Sequence, residues 1–299
     1  MSLRLGPAAA FAGIHGRLGR MQRPFSQVDV FSPEPFMGNP VAVVLDGQGL
    51  STAQMQRFAR WTNLSETTFV LPSGASGAPG ADYQVRIFTP AAELPFAGHP
   101  TLGTCHAWLS AGNAPREAGQ IVQQCAAGLV PIRRTDGLLG FAAPPLLRSG
   151  PVDEPLIEKI AAQLEIDRAD IVDAQWADNG PGWVAILLAS AEAVLAVRPG
   201  GVDLDLGVAG PLPAGSECAF EVRAFFPVDG RAVEDPVTGS LNASLAQWLL
   251  SSGRAAAPYV ASQGTAIGRR GRVHITRGDD GTVWVAGATA TRIAGQVDL

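Results

Sequence analysis

Glu66, His99 and Asp235 have the side-chain types and the surroundings that proton transfer requires. Glu66 ends the segment Asn63-Leu-Ser-Glu66 and opens Glu66-Thr-Thr-Phe-Val-Leu71, which is predicted to be a buried strand. The carboxylate would then lie at the mouth of that strand, although spacing alone leaves a solvated loop glutamate open. A carboxyl group in a closed, partly apolar cleft has a raised pKa, which a general base at neutral pH requires.

His99 stands between Gly98 and Pro100. Proline is favoured in the first turn of a helix, so His99 is predicted to lie at a helix start and to point into the preceding loop. There it could donate a proton or bind a substrate oxygen. The alternative is a capping histidine without a chemical role.

Asp235 follows Glu234 and precedes Pro236, in a loop just before Gly239-Ser240. Two adjacent carboxylates at a helix entrance could also be simple partners of the helix dipole. Gly239 and Ser240 are predicted to bind an anion, because backbone N–H groups at a helix start are free to do so. No Gly-x-Ser-x-Gly motif surrounds Ser240, which argues against a serine hydrolase.

The elements that carry these residues occur twice in the chain. Arg86-Ile-Phe-Thr-Pro90 and Arg223-Ala-Phe-Phe-Pro227 each precede an acidic loop, a glycine and an apolar helix. The offset is 223 − 86 = 137 residues at the strand and 248 − 108 = 140 at the helix tryptophans Trp108 and Trp248. Such a repeat can place two helix starts opposite each other across a cleft, where they would hold a small acidic molecule.

The composition excludes several classes of partner. The chain has 299 residues, of which 46% are hydrophobic and 16% are charged, so it can build two domains with real cores. A net charge of −5 without a basic cluster argues against nucleic acid as a partner. The longest apolar runs are too short to cross a bilayer, so we expect no membrane partner.

Neither a cofactor nor a metal is expected. The three cysteines are odd in number and show no Cys-x-x-Cys spacing, and the four histidines form no metal-ligand pattern. A reducing, cytoplasmic location fits this cysteine usage. The single lysine, Lys159, lies on the polar side of the predicted helix Glu154–Leu164, which argues against Schiff-base chemistry. Gly-rich nucleotide-binding fingerprints are absent from the sequence.

The pattern of elements predicts an α+β protein of two pseudo-symmetric halves. Strands outnumber helices and each half has one long central helix, so each half is expected to be a barrel-like, mostly antiparallel sheet around that helix. The Pro-rich stretch Ala143-Pro-Pro145 marks the crossover. The predicted divisions are residues 1–24 as an N-terminal extension, 25–145 as the first half, 146–287 as the second half, and 288–299 as a C-terminal segment that could return to the first half.

Taken together, the motifs resemble the PhzF (phenazine biosynthesis) family, which has the diaminopimelate epimerase-like fold. The resemblance extends from about Phe25 to Ala286. It is carried, in this order, by Gln27-Val-Asp-Val-Phe31, Gly38-Asn-Pro-Val-Ala-Val-Val44, Asn63-Leu-Ser-Glu-Thr-Thr-Phe69, Arg86-Ile-Phe-Thr-Pro90, Glu93-Leu-Pro-Phe-Ala-Gly-His-Pro-Thr101 and Glu234-Asp-Pro-Val-Thr-Gly-Ser240, with Gln263-Gly264 as a weaker match.

The resemblance implies a cofactor-free isomerase with its active site between the halves. It implies that Glu66 is the proton-shuttling carboxylate and that His99 and Asp235 are supporting polar groups. Substrate binding would fall to the helix starts and to an asparagine of the wider superfamily: Gly98, Gly239, Ser240 and Asn39.

The sequence departs from diaminopimelate epimerases at their two opposed cysteines. Alignment of the glycine motifs puts Ala97 and Thr238 at those places, so epimerisation by two thiols is disfavoured. The segment Gly268-Arg-Arg-Gly271 and Ala286 also depart from the family pattern, and they leave the details of the substrate pocket undefined.

Three functions follow as hypotheses. The first is a cofactor-independent isomerase that moves a proton within a small carboxylate-bearing substrate, with Glu66 as general acid and base. The second is a racemase or epimerase of an amino-acid-like substrate that uses bases other than thiols. The third is a non-catalytic ligand-binding or partner-binding protein on the same fold. A homodimer is the candidate assembly.

Overall fold

The computed structural model describes residues 21–73 and 79–299. Within them, one continuous sheet of 18 strands curves around two central helices. Residues 1–20 of the predicted N-terminal extension lie outside the described residues. No helix among the described residues has the length and apolar character needed to cross a membrane.

The first half contains eight strands and two helices up to residue 142. They are β1 (Gln22–Val30), β2 (Asn39–Val44), α1 (Thr52–Thr62), β3 (Glu66–Pro72), β4 (Tyr83–Phe88), β5 (Glu93–Leu94), α2 (Gly98–Ser110), β6 (Gln120–Cys125), β7 (Gly128–Thr135) and β8 (Leu138–Ala142).

The remaining elements form the second half and a final strand. They are β9 (Arg148–Pro151), α3 (Glu154–Leu164), β10 (Ile171–Asp178), β11 (Val184–Leu188), α4 (Ala191–Ala196), β12 (Leu206–Pro211), β13 (Phe220–Val228), β14 (Arg231–Asp235), α5 (Gly239–Ser251), β15 (Tyr259–Gln263), β16 (Gly271–Arg277), β17 (Val283–Gly287) and β18 (Thr289–Asp298).

The two halves repeat one strand order, which confirms the predicted pseudo-symmetric α+β fold. In the first half β2 pairs with β3 in parallel across the α1 connection, β3 pairs with β4 antiparallel, and β4 pairs with β6 in parallel. The second half repeats this with β11, β12, β13 and β15, with α4 as the connection. Strands β8 and β17 pair antiparallel and join the halves into one sheet.

The first and last strands bring the chain ends together. Strand β1 begins at Gln22, opposite Asp298 of β18, so residues 22–24 belong to the sheet and not to a separate extension. His106 of α2 holds β18 from inside, since its ring nitrogens lie 3.0 Å from Thr289 Oγ1 and 3.1 Å from Thr291 Oγ1. The C-terminal strand thus pairs with the first strand of the first half and contacts its central helix.

Helices α2 and α5 form the centres of the two halves because they have almost no exposed face. Each has 13 residues, of which ten are buried. Neither helix has a charged face for solvent, so each is stable only when it is surrounded, here by its own curved sheet. Close packing requires small residues: a Cβ on Gly103 of α2 would lie 2.3 Å from a methyl carbon of Val41 in β2.

Five strands are not predicted from the sequence pattern: β5, β9, β12, β14 and β18. Strand β12 has the sequence Leu-Gly-Val-Ala-Gly-Pro, and its two glycines lower its apparent strand propensity. The structure explains one of them, because a Cβ on Gly207 would lie 2.3 Å from the Leu241 side chain of α5. The glycine is needed for helix–sheet contact that sequence propensity does not report.

Candidate active site

The starts of the two central helices meet at Gly98 and Gly239. A Cβ on Gly98 would lie 2.7 Å from Cα of Gly239, and a Cβ on Gly239 would lie 2.9 Å from Cα of Gly98. Any side chain at either position would therefore push the helices apart. The structure brings together the two helix starts that the repeat predicted to face each other, and the other predicted site residues surround this contact.

Glu66 and His99 are in contact beside the start of α2. Glu66 is the first residue of β3, and its Oε2 lies 3.2 Å from Nε2 of His99, in the first turn of α2. The angles fall outside hydrogen-bond geometry, so neither atom has a hydrogen-bond partner among the described residues. The two side chains are thus in contact, and both atoms keep their hydrogen-bonding capacity.

Burial changes the protonation state of both groups. It raises the pKa of Glu66 well above its ordinary value, and the nearby carboxylate of Asp235 raises it further. It lowers the pKa of His99 to about 3, against a smaller opposing effect of a hydrogen bond to the Pro40 backbone. His99 is therefore neutral at physiological pH, and Glu66 can hold a proton there.

Asp235 enters the same cluster from the second half. Its carboxylate accepts hydrogen bonds from Thr238 Oγ1 at 2.6 Å, from Asn39 Nδ2 at 3.0 Å and from Ser65 Oγ at 3.3 Å. Burial raises the pKa of Asp235 to about 6, although these three hydrogen bonds lower it. The Asp235 carboxylate is thus buried and fixed by three hydrogen bonds, and it is not a solvated partner of the helix dipole.

Glu234, its neighbour in sequence, has a different and structural role. It forms a bidentate ion pair with Arg223, with N–O distances of 3.1 and 2.6 Å. The first half repeats this pair in Arg86 and Glu93, at 2.7 and 2.6 Å. The two adjacent carboxylates, which look equivalent in the sequence, therefore have different roles. Glu234 forms an ion pair that stabilises the strands, and Asp235 faces the site.

Asn39 connects the two halves. Its Nδ2 donates to Val237 O at 2.9 Å and to Asp235 Oδ1 at 3.0 Å, and it lies 3.2 Å from Nδ1 of His99. The side chain is completely buried, and its Oδ1 has no hydrogen-bond partner among the described residues. A buried amide oxygen without a partner is costly unless a ligand donates to it.

Side chains that the sequence reasoning missed position the start of α5. Trp183 Nε1 donates to Ser240 Oγ at 3.1 Å, so the Ser240 hydroxyl can still give its own hydrogen to a ligand. Gln263 Oε1 accepts from Thr238 N at 3.0 Å and from Asn242 Nδ2 at 2.8 Å. The weak Gln263-Gly264 match was the one signal in the sequence for these contacts.

No thiol lies at either helix start. Ala97 and Thr238 are the N-cap residues of α2 and α5. Cys105, Cys125 and Cys218 are all buried elsewhere, and burial raises the pKa of each. Among the residues that the structure describes, no group of three or more His, Cys, Asp or Glu could hold a metal ion.

The buried cluster at the helix starts is separate from a surface cavity. That cavity, of about 650 Å³, lies in the second half and includes Pro211, Cys218, Tyr259 and His274 in its lining. None of the predicted site residues lines it. The chemistry available at the helix starts is proton transfer by a carboxyl group beside a neutral imidazole, with free N–H groups to hold an anion.

Comparison with known proteins identifies the family. The model of the family described as phenazine biosynthesis-like protein (PhzC-PhzF) matches residues 28–296. The chain therefore belongs to this family, as its motifs predicted.

Two curated relatives cover most of the chain. Antisense-enhancing sequence 1 of Schizosaccharomyces pombe is 34% identical over 91% of this chain and 97% of its own length. The trans-2,3-dihydro-3-hydroxyanthranilate isomerase of Pseudomonas aeruginosa is 36% identical over 83% of this chain and 87% of its own length.

A solved structure agrees with the fold. The phenazine biosynthesis protein of the PhzF family from Enterococcus faecalis superposes with a TM-score of 0.74 at 25% identity, over 93% of this chain and all of that one.

Proposed function

We propose that this member of the phenazine biosynthesis-like family is a cofactor-independent isomerase that moves a proton within a small carboxylate-bearing substrate. The observation that carries the proposal is the pairing of Glu66 with His99, in which a carboxyl group of raised pKa faces a neutral imidazole at 3.2 Å. Glu66 acts as both general base and general acid.

The substrate carboxylate binds at the start of α5. Gly239 and Ser240 occupy the first turn of that helix, where backbone N–H groups lack intrahelical acceptors and the helix dipole is positive. The Ser240 hydroxyl adds a donor, because Trp183 already donates to its oxygen. This arrangement binds an anion without a basic side chain.

Proton transfer then needs Glu66 alone. The ionised carboxylate takes a proton from one substrate carbon, and the electrons of that C–H bond form a new double bond as an existing one shifts. Glu66 returns the same proton to a second carbon of the conjugated system. The product is an isomer, with no net gain or loss of hydrogen and no redox partner.

His99, Asp235 and Asn39 hold this machinery in place. The neutral imidazole supplies one donor and one acceptor to Glu66 or to a substrate oxygen. Asn39 links it to Asp235 across the two halves. Burial raises the pKa of Glu66 and the charge of Asp235 raises it further, which favours the form that can return the proton.

The relative named trans-2,3-dihydro-3-hydroxyanthranilate isomerase supports an unsaturated ring carboxylate as the first substrate to test. Ala97 and Thr238 at the helix starts do not favour an epimerase with two thiols. The S. pombe relative, whose name describes no isomerase, makes a direct assay of turnover essential.

The test is turnover of trans-2,3-dihydro-3-hydroxyanthranilate in D₂O, followed by NMR. A single base that removes and returns the proton gives an isomerised product with only partial deuterium incorporation. Full incorporation with inversion at one carbon indicates two-base epimerisation. Binding without turnover or exchange indicates a non-catalytic protein, and either of these last two results contradicts the proposal.

A further inference from the structure

The two carboxyl groups at the helix starts differ in their hydrogen bonds. The Asp235 carboxylate accepts from Thr238, Asn39 and Ser65. Glu66 accepts none from the described residues, and its Oε2 is buried without a partner. The two groups are close enough that the charge of Asp235 adds to the effect of burial in raising the pKa of Glu66. Two interacting carboxyl groups in a buried site are rarely both ionised, so the donors decide which of them carries a proton.

Thr238, the N-cap residue of α5, makes the shortest of the hydrogen bonds to Asp235. Its Oγ1 lies 2.6 Å from Asp235 Oδ2, whereas Asn39 Nδ2 and Ser65 Oγ lie 3.0 and 3.3 Å from Oδ1. Burial raises the pKa of Asp235, and among the hydrogen bonds that oppose burial the one from Thr238 has the largest effect. A short hydrogen bond to an ionised oxygen is stronger than one between neutral groups.

Gln263 fixes the direction of the Thr238 hydroxyl. The backbone N–H of Thr238 can only donate, so the atom of Gln263 that faces it at 3.0 Å is the amide oxygen. The backbone carbonyl of Asp235 can only accept, so Nε2 of Gln263 faces that atom at 3.2 Å. The same Nε2 donates to Thr238 Oγ1 at 2.8 Å. Because the hydroxyl oxygen accepts from this amide, its own hydrogen is directed to Asp235 Oδ2.

The two helix starts are unequal in this respect. Thr238 stands where the alignment places one cysteine of the diaminopimelate epimerases, and its side chain makes no capping hydrogen bond to α5. Its counterpart at the start of α2 is Ala97, which has no side-chain donor. The second half therefore supplies a hydroxyl to Asp235, while the first half supplies none to Glu66.

No cation replaces this hydroxyl. None of the arginines and lysines in the described part of the chain forms an ion pair with Asp235. The charged or titratable groups near it are Glu66 of β3, the neutral His99 of α2, and Glu234 of its own strand. Glu234 is paired with Arg223, and its charge raises the pKa of Asp235. Neutral donors must therefore stabilise an ionised Asp235.

We propose that Thr238 is a positioning residue that holds Asp235 in its ionised form and thereby directs the transferred proton to Glu66. Gln263 supports this role because it orients the hydroxyl of Thr238. A protonated Asp235 would compete with Glu66 for the proton that is taken from the substrate and returned to it. This inference rests on the proposed function for the role of Glu66, and it adds the group that decides which carboxyl carries the proton.

Carbon NMR of protein labelled at the side-chain carboxyl carbons tests the inference without a substrate. Asp235→Asn and Glu66→Gln assign the two signals. In the wild type, Asp235 should titrate at a pH of about 6 and Glu66 at a higher pH. Thr238→Val keeps the shape of the side chain but removes the hydroxyl, so it should raise the midpoint of Asp235 by roughly one pH unit. Thr238→Ser should titrate as the wild type does.

Two further variants separate this effect from a general disturbance of the site. Thr238→Ala also removes the hydroxyl, at a place where the other helix start already has Ala97, and it replaces Thr238→Val if valine prevents folding. Thr104→Val removes a buried hydroxyl that donates to Thr68 Oγ1 at 2.8 Å, and it should leave the Asp235 midpoint unchanged. Entry of water would lower that midpoint, because burial is the largest cause of its rise.

Turnover provides the second readout. Thr238→Val should lower kcat for trans-2,3-dihydro-3-hydroxyanthranilate roughly 10-fold, since one pH unit is a tenfold change in protonation, and should change KM little. Thr238→Ser should restore kcat. An unchanged kcat in Thr238→Val would refute the claim that Thr238 directs the proton.

Four titration results would overturn the inference. They are a midpoint of Asp235 that stays or falls when the hydroxyl of Thr238 is removed, a rise in Thr238→Ser, a rise in Thr104→Val, and a wild-type Asp235 that titrates above Glu66. A wild type that isomerises the substrate but gives one of these results refutes this inference alone. A protein that shows the expected midpoints without turnover refutes the proposed isomerase, and it still supports the hold of Thr238 on Asp235.

Discussion

Nε2 of His99 lies 3.2 Å from Oε2 of Glu66, with both side chains shielded from solvent at the start of α2. In water such a pair would be an ion pair near neutral pH. Here burial disfavours the charged form of each group: it lowers the pKa of His99 to about 3 and raises the pKa of Glu66 well above its ordinary value.

The first prediction concerns the charge of His99. Because burial lowers its pKa to about 3, we expect the imidazole to stay neutral from pH 8 down to pH 5. Nitrogen NMR of histidine-labelled protein measures this directly, and a His99→Gln variant assigns the signal. Protonation of His99 with a midpoint near 6.5 would show that the site is open to water and would remove the basis for its neutral role.

The second prediction concerns the contact between the helix starts. Gly239→Ala should destabilise the protein by roughly 1–3 kcal/mol, because the new methyl group would lie 2.9 Å from Cα of Gly98. It should also abolish anion binding at the start of α5. Gly295→Ala in β18 is the matched control, since its Cβ meets nothing within 4 Å. Urea unfolding of both variants provides the comparison, and equal stabilities would refute the close contact.

The third prediction compares the two copies of the repeated arginine–glutamate ion pair, with the more exposed copy as the control. The Arg223 and Glu234 side chains are 5% and 9% exposed, whereas those of Arg86 and Glu93 are 24% and 34% exposed. Glu234→Gln should cost about 3–5 kcal/mol, because it leaves a buried charge without its partner. Glu93→Gln should cost less than about 1 kcal/mol. Chemical denaturation measures the free energy of unfolding of both variants. A larger loss of stability for Glu93→Gln than for Glu234→Gln would contradict the prediction that the buried pair contributes more.

The fourth prediction is a dependence of stability on pH. A carboxyl group with a raised folded-state pKa binds more protons in the folded than in the unfolded chain, so its contribution to stability is complete below pH 4.5 and is lost as pH rises through the folded pKa. Glu66→Gln removes the ionisable group, so the variant does not lose this stability as the pH rises. The variant should melt at least about 2 °C above the wild type at pH 8 but not at pH 4.5.

Glu117→Gln, a change of an exposed glutamate, is the control for this melting experiment. If the melting temperatures of Glu66→Gln and the wild type differ by the same amount at both pH values, burial does not raise the pKa of Glu66.

Local sequence signals were sufficient for the fold and for the separate parts of the site. The glycine and proline around His99 fixed a helix start, and the repeated Arg–Phe strands identified the two halves. Contacts between distant residues could not be predicted in this way. Asn39 reaches Asp235 across 196 positions, and no local pattern reports that hydrogen bond.

Two features of the second half could not be predicted from the sequence for a different reason. The glycines of β12 lower its strand propensity, so the strand was not predicted. Glu234 and Asp235 also looked equivalent in sequence, because only the ladder between β13 and β14 shows that they face opposite ways. The homodimer and the cytoplasmic location stay predictions.

Substitution of Glu66 by Gln is the most direct test of the central claim. Gln keeps the size and hydrogen-bonding capacity of Glu66 but cannot carry the proton. Turnover of trans-2,3-dihydro-3-hydroxyanthranilate should fall by roughly 10²–10⁴-fold, while binding of the substrate carboxylate at Gly239 and Ser240 persists in titration. If Glu66→Gln isomerises the substrate at the wild-type rate, Glu66 is not the proton carrier and the mechanism is wrong.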